Sequence, residues 1–114
     1  MAVLTAQQIT QSGIKPTTVT PASGGDTLAN TAIQFFHVLN GSSATITATV
    51  VPVVTTVVDP LLGTLKKENA VLSLTAGQEG FLGPFEVDAF NDASGNITIT
   101  CSATASVKLS ALYL

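Results

Sequence analysis

The sequence predicts an all-β chain: an antiparallel β-sandwich, jelly-roll or Ig-like, with an extended N-terminal arm. Three observations carry this expectation. Short segments alternate apolar and small polar residues with period two, as side chains on a strand do. Clusters of Gly, Pro, Asn and Asp separate these segments. No stretch keeps a sustained helical period; the best helical candidate, Thr5 to Gln11, is short and lacks an apolar stripe. Strand order is not set by pattern alone.

Residues 1–25 differ from the rest. Ala2 to Ile9 can pair as a strand, but Gly13, Pro16, Pro21 and Gly24-Gly25 follow. Pro removes a ladder donor and Gly weakens a strand. An arm lying on its own sheet or on a neighbour's is expected over 1–25, ahead of a single domain over 26–114.

The chain is centred on Thr31 to Val58. Ile33, Phe35, His37 and Leu39 fall on one side of an extended strand, and Phe36 and Val38 on the other. That strand is apolar on both faces, so cover on both is expected. Asn40-Gly41-Ser42-Ser43 tolerates positive φ or hydrogen-bonds its own backbone. Thr45, Thr47 and Thr49 then alternate with Ile46, Ala48 and Val50, and a hairpin is expected.

Asp59-Pro60 ends the second strand, and Leu61 to Asn69 reads as an exposed turn. Ala70 to Ala76 alternates again, with Leu72 and Leu74 on one face. Phe81, Phe85 and Phe90 sit in a Gly-broken stretch and are expected to plug one end of a core. Asn91 to Asn96 is a turn. Ile97, Ile99 and Cys101 mark one more strand, and Val107, Leu109, Ala111 and Tyr113 mark the last.

A chain of 114 residues can bury one core without staples. Only 10% of it is charged, against roughly a quarter in an ordinary soluble domain. There is no arginine; the basic residues are Lys15, Lys66, Lys67 and Lys108. Threonine and serine stand in their place and suit a pleated, half-buried surface. Uncharged polar surface desolvates at less cost, and charge is depleted at interface cores. Much of this surface is therefore expected to lie against other protein. Residues 1–58 contain only Lys15 and Asp26 as charges, while 59–92 hold most of the rest. The charged loops are expected to mark the solvent end.

Nucleic-acid binding needs clustered Lys/Arg, and only Lys66 and Lys67 adjoin. The opening MAVLTAQQ lacks the features of a secretory signal. Ala48 to Val58 is too short to cross a bilayer and is broken by Pro52. A soluble protein made in a cytoplasm, with no nucleic-acid or membrane partner, is expected.

The residues that could carry chemistry read as structural. His37 is the sole histidine and Cys101 the sole cysteine, too few for a zinc site or an internal disulfide. Cys101 reads as a buried inert thiol. A Cys101–His37 nucleophilic pair would need a third, orienting group. Asp92-x-Ser94-x-Asn96 opens like a calcium loop, but Ile97 stands where glycine is required and no glutamate closes it. A turn built on Asx chemistry accounts for it better. Glu86 and Asp88 share a strand face and read as solvated. The sequons Asn40-Gly41-Ser42 and Asn96-Ile97-Thr98 read as turns. No catalytic, cofactor-binding or metal-binding residue is assigned, and no enzyme is expected.

GGDTLAN (24–30), FFHVLNGS (35–42), LGPFEVDAFNDASGNITITCSA (82–103) and VKLSALYL (107–114) occur in an order that resembles a group of small virion proteins of tailed bacteriophages. These are head decoration, or cement, proteins. The resemblance implies a β-sandwich that sits on the capsid, clamps neighbouring capsomers, often as a trimer, and catalyses nothing. The chain departs from the group at Cys101, where an aromatic often stands, and in lacking arginine near residue 114. The contact carriers expected are Phe36 and Val38 on the second face of the central strand, and Ile9 and Ile14 on the arm. The major capsid protein or another virion subunit would be the partner. Other virion positions (neck, tail or fibre base) are alternatives. A carbohydrate-binding sandwich would want exposed Trp or Tyr for stacking, and Tyr113 alone is present.

Overall fold

The computed structural model describes residues 2–53, 56–61, 63–66 and 68–114. The chain is nearly all β, in two mixed sheets and a separate hairpin. The strands are β1 (Ala2–Leu4), β2 (Gln7–Gln8), β3 (Asp26–Ala29), β4 (Gln34–Asn40), β5 (Ile46–Val50), β6 (Thr56–Asp59), β7 (Gly63–Lys66), β8 (Ala70–Leu74), β9 (Glu79–Leu82), β10 (Asn96–Cys101) and β11 (Val107–Tyr113). One helical turn, α1 (Val87–Phe90), precedes β10.

The first sheet has the order β1-β3-β10-β5-β8 and the second β2-β11-β4-β9. Both are antiparallel except at one edge each. There β1 runs parallel to β3 and β2 parallel to β11. Buried residues of both sheets join one core: Phe36 and Val38 from β4, Leu109 and Ala111 from β11, Ile46 and Val50 from β5, Ile97 and Ile99 from β10. The alternation read in the sequence decides this. In β4 and β5 every second residue is buried, so each strand turns one side chain in two toward the other sheet.

The central hairpin is not formed. β4 lies between β11 and β9, and β5 between β10 and β8. The Asn40–Ala44 link therefore crosses from one sheet to the other. Asn40, fully buried, holds the crossing: its Nδ2 donates to the carbonyls of Ala44 (2.8 Å), Leu74 (3.0 Å) and Thr75 (3.1 Å). Its Oδ1 accepts from the Ser42 backbone N–H. A Cβ on Gly41 would stand 2.7 Å from the Ser106 carbonyl oxygen, closer than van der Waals contact allows. Asn40 does hydrogen-bond its own turn, but long-range pairing decides which strands that turn joins.

Other expectations shift as well. Ala2 to Ile9 does pair, but as two short strands, β1 and β2, on different sheets, and Thr5 to Gln11 is not helical. The stretch read as a turn over 61–69 holds β7, which pairs with β6 around Pro60 and Leu61. Glu86 and Asp88 flank and begin the α1 turn and share no strand face. Phe85 and Phe90 close one end of the core, with ring centroids 5.3 Å apart and Phe36 5.9 Å from Phe85. Phe81 is not with them; it is 63% exposed on the second sheet.

Candidate functional site

Phe36 and Val38 do not form a contact surface. Both are fully buried, because their alternation points them into the shared core. The opposite face of β4 carries Phe35, His37 and Leu39, which are half-buried. This outer face of the second sheet is where the two other expected contact residues arrive, since Ile9 and Ile14 lie against it.

The N-terminal segment explains that placement. It pairs with both sheets of its own chain: Ala2 to Leu4 with Asp26 to Leu28, then Gln7 and Gln8 with Leu112 and Tyr113. The Ile9 N–H donates to the Tyr113 carbonyl at 2.7 Å. Val19 returns antiparallel to Leu109, each N–H donating to the other's carbonyl at 2.8 Å. The two legs are tied by the Gln7 amide, whose Nε2 donates to the Thr17 carbonyl (3.0 Å) while its Oε1 accepts from the Thr17 N–H (2.8 Å). Gly13, at φ +86°, turns the loop between the legs.

The loop covers part of the outer face, so β11 is buried on both sides. Leu109 and Ala111 face the core, while Ser110 and Leu112 are 2% and 4% exposed on the other side. Beside the loop an apolar groove of about 300 Å³ is lined by Ile9, Gly13, Ile14, Pro16, His37, Phe81 and Leu112. Phe81 packs edge-on to Phe35 at 5.8 Å and against the His37 ring at 5.0 Å. A second groove, of about 360 Å³, lies along the β11 edge between the legs, among residues that include Leu4, Gln7, Thr17, Val19 and Ser110.

His37 has Glu79 as its neighbour, with Nε2 3.1 Å from Oε2, and Ser110 as its cross-strand partner. A Ser–His–Glu row on one face invites a catalytic reading, but the required bond is missing. His37 Nδ1 and Ser110 Oγ are both buried without a hydrogen-bond partner. Activation of a serine depends on that bond. Cys101 is in the first sheet and faces the core, so it does not meet the outward-facing His37. Burial, and then the Asp26 carboxylate, push its thiol pKa up, away from thiolate chemistry. Asp92 Oδ1 accepts from the N–H groups of Ser94 (2.8 Å) and Asn96 (3.0 Å). This is the Asx geometry read from the sequence, though it links α1 to β10 and not two strands. Among the described residues no group of three metal-ligating side chains comes together.

The outer face of the first sheet is built differently. Thr27 pairs with Thr98, Thr49 with Thr100, and Thr47 with Ser73. The only charged residue in the five strands, Asp26, is fully buried. This face therefore presents hydroxyls and methyls with no charge. The second sheet adds only Glu79 and Lys108 to its strands.

No family model, curated protein or solved structure matches the chain. What the fold and its surfaces define is a class: a nearly all-β chain with one core and two outer faces poor in charge.

Proposed function

We propose that the chain is a non-enzymatic structural subunit of a bacteriophage virion, a decoration or cement protein that binds the outer capsid and stabilises contacts between capsomers. The observation that carries this reading is the uncharged, threonine-clad outer face of the first sheet. Such a face loses little on desolvation, as the core of an interface requires. The ordered turn motifs between residues 24 and 114 support the phage assignment. Two sheets on one core are in keeping with a sandwich of jelly-roll or Ig-like type.

The mechanism is mechanical. A shell under internal pressure fails where capsomers part. A bridging subunit adds buried area on both sides of the seam, ~1,600 Å² for an interface of ordinary size, and many copies sum. A trimer sets three clamps about one axis. The major capsid protein is the partner, and the virion, assembled in a host cytoplasm, is the location. The test is sedimentation of the purified chain with phage shells that lack it, followed by electron microscopy. Saturable binding at hundreds of copies per particle supports the reading. A dozen or fewer copies points to a neck, tail or fibre-base role, and no binding overturns it.

A further inference from the structure

Resting on that reading of the chain as an assembling subunit, we propose that its N-terminal segment is an exchange arm. Residues 2–19 of one copy seat on the β3 and β11 edges of a second copy. The occupant of this seat is identified by the fold itself, since the same segment fills it within one chain.

Three observations bear on the exchange. The segment adds a strand to an outer edge of each sheet and touches the core only through partly buried side chains such as Leu4 and Ala6. Its root is fixed: Pro21 is buried, and the Ala22 N–H donates to the buried Asp26 carboxylate at 3.0 Å. Before that root its hydrogen bonds are strand-edge pairings, the Gln7–Thr17 pair and the Thr10–Gly13 turn. Lys15 is its only charged side chain, so two copies approaching through it meet little repulsion.

A further observation concerns fit. Both grooves described above flank this segment. Among the described residues two buried polar atoms lack partners, His37 Nδ1 and Ser110 Oγ, and their residues are cross-strand partners on the face it covers. Folded back on its own chain, the segment leaves gaps on either side and does not satisfy the groups beneath it. A neighbour's arm makes the same strand pairings without having to turn back from the same root, which frees its course between those pairings to follow the grooves. Exchange of an identical element is a low-cost route to a closed oligomer.

The test uses the full chain, with isotope-labelled and unlabelled copies expressed separately, mixed in denaturant and refolded together. Light scattering gives the assembly size, and isotope-filtered NOE spectra report whether Gln8 touches Tyr113, and Val19 touches Leu109, of the same copy or of another. Contacts between copies in an oligomer are the expected result. A monomer at millimolar concentration, or an oligomer whose arm contacts all lie within single copies, overturns the proposal. Shell binding is scored on the same sample. Chains that bind shells without exchanging arms leave the virion reading standing, and chains that exchange arms but ignore shells remove the virion reading alone.

Discussion

The two outer faces of this molecule solve the same problem in opposite ways. The first sheet meets its surroundings with cross-strand threonine pairs and needs no cover. The second presents Phe35, His37, Ser110 and Leu112, and the chain folds its own N-terminal segment over part of them. Hydroxyls let one face remain wet or be desolvated at modest cost. Aromatic and aliphatic side chains on the other oblige something to lie on top. An alternating pattern tells which residues share a face; what covers that face depends on chain from elsewhere.

The sharpest test of the contrast is Leu112→Ala. Leu112 is 4% exposed on a face that the N-terminal segment covers, so the substitution should cost about 2–4 kcal/mol. Urea unfolding measures this. A loss below about 1 kcal/mol would mean that the segment does not bury the face in solution. Ser110→Ala has the opposite sign. It removes a buried hydroxyl without a partner and should stabilise the chain by about 1 kcal/mol; a comparable loss would reveal a bond that this arrangement lacks. On the first sheet, Thr49→Ala removes one cross-strand pair with Thr100 and should cost only about 0.5 kcal/mol. If it proved as damaging as Leu112→Ala, the two faces would not differ in the way described.

The smallest effect is one of pH. Cys101 has its thiol pKa raised in the fold by burial and by Asp26. Below the ordinary thiol range it is protonated in both states, and the stability it contributes is fully present. As pH climbs through that range, the unfolded chain gives up its proton first, so stability falls. Cys101→Ala should flatten this alkaline decline in melts taken across the range, and an unchanged slope would assign it to other groups.

Much of the fold was legible because its signals are local. The alternation in Ile46–Val50 and Asn96–Cys101 gave the strands and their inward faces. The Asx turn at Asp92 was visible in three residues. What escaped was long-range. Asn40-Gly41-Ser42-Ser43 has the residues of a hairpin turn, yet β4 and β5 found better partners in other strands. Both faces of β4 are apolar in sequence, which does not tell the buried Phe36 and Val38 from a contact surface. The face that needed cover was that of His37, and the cover came from Ile9 to Pro16. The burial of Ser110 had one faint signal, the run Leu109 to Leu112, in which neither face is strongly polar.

The position of β11 has a consequence for synthesis. Residues 107–113 form an inner strand of the second sheet, between β4 and β2, so β2, an edge strand, has no template until that distant segment is made. Until then Gln34–Asn40 has only β9 beside it, and Gln7–Gln8 has no strand to join. Closure is built on distant pairings, which are slow to form. During that interval a sister chain made on the same message can capture the waiting segment as readily as its own body can.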